Sequence, residues 1–373
     1  MILKKLGRFY LNKSKKTKLY MIYGIVSVMK TILFCNLPYA FSIMKPLADT
    51  LKERGDEYLW YITPELFNDF PYKDMMHSNS LEILKDFKAD AIFVPGNDVP
   101  YWLRGVKVQI FHGLAGEKKG HFRIRDYFDL YLTQGPYFTK KFEALALEHK
   151  NFSVIETGWS KLDYLFDISA ETRHKRDELL DEHNAKHIVL YAPTFSPSLT
   201  SAIDLKDVIR RLATHKDKEI LFIVKFHDKM DEEIIESYRE MDVPNILIVE
   251  DNDITESLHM ADLMLSDTSS VVYEFILLDK PVITLNSQSE NITWSNHTDI
   301  NQIFLNVVRT LEGNDRFKDG REKTIAQYHP YNDGKSSLRM IEAVEGYIKE
   351  HGVPESRKVP LLRKWKMYRK YKK

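Results

Sequence analysis

Residues 262–275 read DLMLSDTSSVVYEF, and the order of residue types in this stretch decides the fold. The apolar run Leu263–Leu265 is typical of a buried strand in a parallel sheet. The polar run Ser266–Ser270 ends this strand, and the residues from Val271 onward begin a helix. A strand that passes through a polar turn directly into a helix is the repeating unit of α/β proteins with parallel sheets.

Short apolar runs of the same kind recur along the chain, separated by polar helical stretches. In the first half they are Lys30–Asn36, Trp60–Thr63, Ala91–Val94, Lys107–Phe111, Leu130–Thr133 and Ser153–Glu156. In the second half they are His187–Tyr191, Ile220–Phe226, Ile246–Val249, Leu263–Ser266 and Pro281–Leu285. The alternation predicts two doubly wound halves of about five strands each, joined in the charged stretch Glu171–Ala185. Ligands of such sheets bind at the carboxyl ends of strands, so two facing halves predict a site in the cleft between them.

Length and composition exclude several classes of protein. A chain of 373 residues corresponds to about two domains. The single cysteine, Cys35, excludes a disulfide scaffold and a cysteine-rich metal site. No uncharged apolar run reaches the roughly 18 residues of a membrane-spanning helix, and Tyr20–Met29 is too short. No small-residue cleavage site follows that run, so we expect no signal peptide.

The zero net charge of the chain hides two basic ends on an acidic body. Residues 1–30 carry eight Lys/Arg and residues 357–373 carry nine, with no acidic residue in either segment. The rest of the chain has 37 basic residues against 54 acidic ones. The C-terminal segment interleaves these cations with Leu, Trp and Tyr, which favours an anionic membrane surface. A solvated basic tail is the main alternative, and the acidic body argues against nucleic acid.

A histidine and three glycines follow the predicted strand Lys107–Phe111. The run FHGLAGEKKG spans residues 111–120 and contains His112, Gly113 and Gly116. Glycine lets the backbone approach a ligand, and imidazole can take up a proton near neutral pH. A structural histidine at a strand end is nevertheless more common than a catalytic one.

Two strand ends in the second half carry polar groups. Thr194 follows the strand His187–Tyr191 and an Ala-Pro pair, where an ordinary turn is the alternative interpretation. Lys225 and His227 flank Phe226 and therefore share one face of their strand. A cation and a proton donor on one face suit a diphosphate, although a half-exposed sheet edge gives the same pattern.

Residues 262–275 carry the sharpest functional signal in the sequence. The amides of the first helical turn and the hydroxyls of Ser269 and Ser270 are suited to bind a phosphate. Glu274 lies one turn further on the face of Ser270, within reach of a ribose diol. Simple N-capping is the alternative, but the run of hydroxyl residues exceeds what a cap needs.

Five segments together resemble the CDP-glycerol glycerophosphotransferase family, which includes the teichoic-acid primases and polymerases. They are FHGLAGEKKG, TGWSKLDYLF, YAPTF, KFH and DLMLSDTSSVVYEFILLDKPVI, in the order of the family, and they lie within residues 100–290. The resemblance implies the GT-B architecture, in which two Rossmann-like domains face each other across the active-site cleft. It also implies transfer of a polyol phosphate from a CDP-linked donor, CDP-glycerol or another CDP-polyol, with release of CMP.

The resemblance assigns roles to particular residues. His112 matches the catalytic base of the family, and His227 matches the histidine that steadies the diphosphate or the leaving CMP. The donor-binding residues that it implies are Thr194, Lys225, Asp267, Thr268, Ser269, Ser270 and Glu274. Gly113 and Gly116 fall on the acceptor side. No cofactor is required, no metal ligands stand out, and a divalent metal at the diphosphate stays compatible with the sequence.

The expected organisation has four parts. Residues 1–28 form a basic extension, 29–170 an acceptor domain, 171–350 a donor domain and 351–373 a basic aromatic tail. The resemblance implies a lipid-linked or polysaccharide acceptor and a peripheral location at the cytoplasmic face of the cell membrane. A GT-B sugar transferase or UDP-sugar 2-epimerase is the enzyme alternative, because it shares the scaffold. A non-catalytic membrane-associated binding protein is the alternative outside enzymes.

Overall fold

The chain folds into two parallel sheets, each covered by helices. The computed structural model describes residues 28–114, 120–195, 201–215, 217–227, 229–250, 254–289 and 292–371. Every strand pair in both sheets is parallel. Parallel sheets need cover on both faces, which explains why the strand interiors are almost continuous apolar runs.

The first half contains seven strands. They are β1 (Lys30–Cys35), β2 (Glu57–Ile62), β3 (His77–Ser78), β4 (Ala91–Val94), β5 (Val106–Gln109), β6 (Leu130–Thr133) and β7 (Ser153–Glu156). Their order across the sheet is β3-β2-β1-β4-β5-β6-β7. The helices are α1 (Ala40–Arg54), α2 (Leu81–Phe87) and α3 (Pro136–His149), and 3₁₀ turns occur at Pro64–Leu66, Ser160–Leu162 and Tyr164–Phe166. The strand order reverses between β1 and β4, which is the position where doubly wound sheets bind ligands.

The second half contains six strands. They are β8 (His187–Tyr191), β9 (Ile220–Val224), β10 (Ile246–Ile248), β11 (Leu263–Ser266), β12 (Val282–Leu285) and β13 (Ser295–His297), in the order β10-β9-β8-β11-β12-β13. The helices are α4 (Ala170–Glu182), α5 (Ser201–Asp204), α6 (Lys206–Ala213), α7 (Glu232–Arg239), α8 (Thr255–Met260), α9 (Val271–Leu277), α10 (Ile300–Leu311) and α11 (Lys318–Tyr328). Here the order reverses between β8 and β11.

The expectation of about five strands in each half was too low. The two strands without a counterpart in the predicted runs are β3 and β13, which lie at the edges of their sheets. They are two and three residues long and consist of His, Ser and Asn. Such short polar edge strands carry no apolar run, so hydrophobic patterning does not detect them.

Helix α11 ties the two halves together through stacked aromatic rings. Tyr328 at its end stacks on Tyr137 of α3 at 4.7 Å and on Tyr273 of α9 at 5.2 Å. The backbone of Tyr328 also approaches Gly135 so closely that a Cβ there would lie 2.5 Å from the Tyr328 carbonyl oxygen. Only glycine fits at position 135. Because Tyr328 also stacks on Tyr273, these contacts fix helix α9 against the first half.

The motif TGWSKLDYLF lies at the junction of the halves. The Trp159 backbone N–H donates to His329 Nε2 at 3.0 Å. The Asp163 carboxylate accepts from the backbone N–H groups of Ser336 and Ser337, both at 2.7 Å. These amides open the helix α12 (Ser336–His351), so Asp163 satisfies donors that a helix start leaves unpaired. The motif therefore connects the first half to the segment after α11 through hydrogen bonds from backbone N–H groups to side-chain acceptors.

The last two helices pack on the first half. Helix α12 contacts α1 and β5. Helix α13 (Leu361–Tyr371) follows, and its Tyr371 hydroxyl donates to Asp98 at 2.7 Å. The chain thus returns to the sheet on which it began, although the predicted boundary at residue 350 groups α12 with the donor domain. The four-part division remains a prediction, and its first 27 residues lie outside the described part of the chain.

Candidate active site

A left-handed residue turns His112 out of the first sheet. Strand β5 ends at Gln109, and Phe111 has φ of 61°, a conformation that is uncommon for a bulky residue. Phe111 is held there by stacking on His121 at 5.3 Å and by its contact with Phe142. The imidazole of His112 is then exposed and stacks on Tyr39, in the turn after β1, at 5.0 Å.

The hydrogen bond of His112 defines which ring nitrogen carries the proton. Its Nδ1 lies 3.0 Å from the carbonyl oxygen of Pro95, which follows β4. A carbonyl oxygen can only accept, so Nδ1 donates and the neutral ring carries its proton there. The Nε2 atom then has an available lone pair. This is the arrangement that a general base requires.

Groups from both halves line a cavity of about 190 Å³ beside His112. The lining residues are Asn97, Gln109, Phe111, His112, Gly113, Gly120, His121, Arg123, Arg125, Phe128, Tyr131 and Ser270. All except Ser270 belong to the first half. The fold therefore brings the predicted base and one predicted phosphate-binding serine to one cavity. Gly113 also lies there, and its carbonyl accepts from the Gln134 amide at 3.1 Å.

Asp267 is a buried carboxylate that joins two turns of the second half. Its side chain is fully buried, and both carboxylate oxygens accept from the Thr194 backbone N–H at 3.1 Å. The hydroxyl of Ser201 also donates to it. Burial raises the pKa of the Asp267 carboxyl, and these hydrogen bonds oppose the rise. Asp267 thus joins the turns after β8 and β11 through the backbone of Thr194.

The hydroxyl run after β11 is not explained by N-capping. Ser270 is the residue before α9, yet its side chain makes no capping hydrogen bond. Thr268 instead accepts from the Gln288 backbone N–H at 2.9 Å, which ties the loop to the segment after β12. Ser269 is half-buried and Ser270 is exposed toward the cavity. Thr268 therefore shapes the loop, and Ser270 is the member that reaches the cleft.

His227 has the opposite hydrogen bonding to His112. Its Nδ1 accepts from the Lys229 backbone N–H at 3.1 Å, so the neutral ring carries its proton on Nε2. The ring is exposed and packs against Phe195 at 4.3 Å. Lys225, two residues earlier, is half-buried, and its backbone N–H donates to Tyr191. His227 is thus arranged to donate a hydrogen bond from Nε2, which suits an anionic oxygen.

Glu274 pairs with the other half of the molecule. Its Oε1 accepts from Lys161 Nζ at 2.5 Å, and the two side chains are 12% and 30% exposed. Lys161 belongs to the motif TGWSKLDYLF at the junction. The predicted ribose contact of Glu274 is therefore occupied by a lysine in this structure.

The structure adds residues that the sequence interpretation did not select. His121, Arg123 and Arg125 line the cavity, and Lys161 holds Glu274. Burial lowers the pKa of His121 to about 4, with smaller contributions from His112 and Lys141. Arg123 and Arg125 closely follow the glycines of residues 111–120, so the sequence could have indicated these two cations. Gly116 lies outside the described residues.

Neither a metal-binding cluster nor a membrane-spanning helix occurs within the described ranges. No group of three or more His, Cys, Asp or Glu side chains in the described chain could hold a metal ion. In the same residues, no helix combines the length and apolar character needed to cross a membrane.

Two facing doubly wound halves whose polar strand ends meet at a cleft define a protein of the GT-B fold, as predicted. The wall teichoic acid polymerase TagF has the same fold, with a TM-score of 0.61 and 16% identity over 86% of this chain and 89% of that one. A Listeria monocytogenes protein described as a UDP-N-acetylglucosamine 2-epimerase superposes with a TM-score of 0.66 and 15% identity, over 89% of this chain and 100% of that one. These likenesses establish the architecture.

The family model for CDP-glycerol:poly(glycerophosphate) glycerophosphotransferase matches residues 109–346, and the chain belongs to this family. The predicted resemblance is thereby confirmed. The Staphylococcus aureus teichoic acid ribitol-phosphate polymerase TarL is 28% identical over 300 residues, which are 69% of this chain and 52% of TarL. A Bacillus spizizenii teichoic acid glycerol-phosphate primase is 28% identical over 193 residues, covering 48% of this chain and 50% of the primase. The chain spans about half the length of these curated relatives.

Proposed function

We propose that the chain transfers a polyol phosphate from a CDP-linked donor, CDP-glycerol in the first place, to a hydroxyl of a cell-surface glycan or lipid-linked acceptor. CMP is the other product. The observation that carries the proposal is the hydrogen bond from His112 Nδ1 to Pro95, beside a cavity that Ser270 of the other half also lines. Membership of the glycerophosphotransferase family supports the choice of reaction and donor.

The reaction places the acceptor hydroxyl at His112. The hydroxyl oxygen attacks the β-phosphorus of the donor, and its proton passes to His112 Nε2. The bond between the β-phosphorus and the bridging oxygen breaks, and CMP leaves with that oxygen. Phosphoryl transfer depends mainly on positioning and on neutralising charge, so no covalent enzyme intermediate is needed.

The second half supplies the groups that face the donor. The turns after β8, β9 and β11 leave the same edge of the sheet, because these strands are adjacent and parallel. We assign Thr194, Lys225 and His227 to the diphosphate, with the proton on His227 Nε2 directed at a phosphate oxygen. Ser269 and Ser270 complete this surface from the β11 side. When the donor binds, the Glu274 carboxylate would release Lys161 and accept hydrogen bonds from the ribose hydroxyls.

A nucleotide panel tests the proposal and identifies the donor. Thermal unfolding is followed with CMP, CDP-glycerol, CDP-ribitol, UDP and UDP-N-acetylglucosamine, because a ligand that binds only the folded state raises Tm. Selective stabilisation by cytidine nucleotides is expected, and comparison of CDP-glycerol with CDP-ribitol then names the polyol. Selective stabilisation by uridine nucleotides would overturn the proposal in favour of a sugar transferase or epimerase.

The C-terminal helix supports a peripheral location at the cytoplasmic face of an anionic membrane. Helix α13 presents Leu361, Leu362, Trp365 and Tyr368 on one exposed face, with side chains 54–82% exposed. Met367 is buried on the other face, where α13 packs on the first half. Lys and Arg residues flank the exposed apolar face. This combination suits an interface between headgroups and acyl chains.

Vesicle sedimentation tests the membrane proposal. The protein is expected to sediment with vesicles of phosphatidylglycerol and not with phosphatidylcholine alone. The double variant Leu362→Ser/Trp365→Ser is expected to lose at least 10-fold in partitioning, because each exposed apolar side chain contributes roughly 1.5–3 kcal/mol when buried. Phe317→Ser, which removes a 41% exposed aromatic side chain from the second half, is the matched control. Equal partitioning of the double variant and the control would contradict the proposal.

A further inference from the structure

The last turn of helix α13 contacts the loop that follows β4. The ring of Tyr371 packs edge-on against Phe34 of β1, with 5.7 Å between the ring centroids. The Tyr371 hydroxyl donates to Asp98 Oδ1 at 2.7 Å, and Lys370 Nζ lies 2.9 Å from Asp98 Oδ2. Asp98 follows β4, which is the neighbour of β1 in the sheet. Helix α13 therefore reaches the point where the strand order of the first sheet reverses.

Asn36, Asp98 and Tyr371 form a closed set of hydrogen bonds. Asn36 Nδ2 donates to Asp98 Oδ1 at 2.9 Å and to the Tyr371 hydroxyl oxygen at 3.3 Å. An amide nitrogen carries two N–H groups, so both bonds form at once. Burial and then the Asp98 carboxylate raise the pKa of Tyr371, so its hydroxyl keeps the proton that it donates. The set joins helix α13 to the turn after β1 and to the loop after β4.

The same loop supplies the acceptor that selects the His112 tautomer. Pro95 precedes Asp98 by three residues, and its carbonyl oxygen accepts from His112 Nδ1 at 3.0 Å. Gly96 packs so closely on Asn36 that a Cβ at position 96 would lie 2.3 Å from Asn36 Oδ1. The loop is thus held at Gly96 by packing and at Asp98 by hydrogen bonds. A carbonyl in a segment held at two points keeps its direction, which is how surrounding residues fix the geometry of a reacting group.

We infer that Tyr371 and Asp98 are positioning residues for His112, which hold the Pro95 carbonyl where it keeps the proton of the neutral ring on Nδ1. The inference rests on the proposed function, in which His112 Nε2 takes up the proton of the acceptor hydroxyl. A ring protonated at Nε2 has no lone pair there and cannot act as that base. Helix α13, whose exposed apolar face is proposed to contact the membrane, thus also completes the support of the base.

Histidine NMR tests the inference without any substrate. Long-range ¹H–¹⁵N spectra of histidine-labelled protein distinguish the two neutral tautomers, and His112→Gln identifies the signals of residue 112. We expect Nδ1 protonation in the wild type and a tautomer ratio shifted about 10-fold toward Nε2 in Tyr371→Phe, because a hydrogen bond to a charged group is strong. This variant keeps the ring that packs on Phe34, so it retains the apolar contact of the helix.

Substitutions of Asp98 and a tyrosine control complete the NMR series. Asp98→Ala should shift the His112 tautomer at least as far as Tyr371→Phe, whereas Asp98→Asn retains an acceptor for the tyrosine and should restore most of the wild-type pattern. Tyr101→Phe is the matched control, because Tyr101 is a half-buried tyrosine whose ring lies 5.5 Å from Lys364 Nζ of the same helix. An unchanged His112 tautomer in both Tyr371→Phe and Asp98→Ala would overturn the inference, as would Nε2 protonation in the wild type.

Steady-state turnover with CDP-glycerol gives the second readout. Tyr371→Phe is expected to lower kcat by about 10-fold and to leave KM for the donor unchanged, because the groups assigned to the donor belong to the second half. A raised KM at constant kcat, or an equal fall in kcat for Tyr101→Phe, would contradict positioning of the base. Failure of the proposed function has a different signature, since selective stabilisation by uridine nucleotides leaves the tautomer measurement as it is.

Discussion

The two exposed histidines follow strands in different halves and have opposite hydrogen bonding. His112 follows β5, on the β4 side of the reversal in the first sheet, whereas His227 follows β9, on the β8 side of the reversal in the second. In His112 the Nδ1 atom donates to the carbonyl of Pro95, whereas in His227 the Nδ1 atom accepts from the amide of Lys229. The neutral rings therefore differ in the nitrogen that carries the proton. One is prepared to accept a proton at Nε2, and the other is prepared to donate from Nε2.

The comparison shows that a backbone group, and not the residue type, selects the ring nitrogen that carries the proton in each neutral histidine. Both backbone partners come from short loops, one after β4 and one directly after β9. A reaction that moves a proton from an attacking hydroxyl and spreads charge over a diphosphate needs one ring of each kind.

Loss of His112 is expected to have the largest effect. His112→Ala should lower kcat by about 10³-fold, because the proton of the attacking hydroxyl then has no acceptor at that position. His112→Gln should be equally impaired, since an amide cannot act as the base. The measurements are turnover with CDP-glycerol and Tm shifts with CMP, which should persist.

His174→Ala is the matched control for these variants, because it removes a histidine side chain that is 73% exposed on α4. Its turnover should equal that of the wild type. Near-normal turnover of His112→Ala would show that the base is another group.

Substitution of His227 should show whether this histidine acts as a hydrogen-bond donor or as a base. His227→Ala is expected to lower kcat by about 10²-fold, the usual effect of removing one donor to a developing anion. His227→Gln retains an N–H donor near the position of Nε2 and should stay within about 10-fold of the wild type. The measurement is steady-state turnover, reported as the ratio of kcat for His227→Gln to kcat for His227→Ala. If Gln is no better than Ala at position 227, hydrogen-bond donation is not the role of this histidine.

The ion pair between the halves should affect donor affinity more than turnover. Glu274→Gln is expected to raise KM for the CDP-linked donor by about 10-fold, since a neutral amide is a weaker acceptor for ribose hydroxyls. Lys161→Met leaves the carboxylate available and should not raise KM. Glu171→Gln on the exposed surface of α4 is the control. An equal rise for Lys161→Met and Glu274→Gln would indicate that the pair acts by holding the halves together.

The buried His329 should affect stability at acidic pH and leave the chemistry unchanged. Burial lowers its pKa from 6.5 to about 4, so only the unfolded chain binds this proton between those values. The free energy of unfolding therefore falls as the pH is lowered from 6.5 toward 4. Protonation of Nε2 would also remove the acceptor of the Trp159 backbone N–H.

His329→Gln retains an acceptor that does not titrate, so its unfolding free energy should fall less over this interval. Urea unfolding at several pH values is the measurement, with His174→Gln as the control. His121 has a pKa of about 4 as well, and it supplies the pH dependence that remains in the variant. Parallel pH profiles of His329→Gln and the wild type would contradict the assignment.

Much of the second half could be predicted from local sequence. The runs around β8, β9 and β11 are apolar, and each is followed by polar residues. Thr194, Lys225 and His227 therefore follow directly from the pattern of their own strands. Asp267 could not be interpreted in this way, because its partners Thr194 and Ser201 are more than 60 residues distant. Local sequence shows a carboxylate beside serines and cannot show that it is buried.

The first half was less predictable for a related reason. His112 followed from its strand end, but Arg123 and Arg125 belong to a segment with no regular secondary structure. They follow His121, whose ring stacks on Phe111, and the Phe111 backbone is left-handed. Such a turn has no reliable signature in a sequence.

Local sequence was sufficient to predict the two doubly wound halves, the strand ends that carry polar side chains and the family. It did so because apolar periodicity and strand-to-helix turns are local properties, and each acts within about 10 residues. Tertiary structure alone decided the tautomers of His112 and His227, the burial of Asp267, the pairing of Glu274 with Lys161 and the cationic cavity. These features depend on backbone carbonyls, amides and charges that folding brings from distant segments, and local patterning carries no information about such pairs.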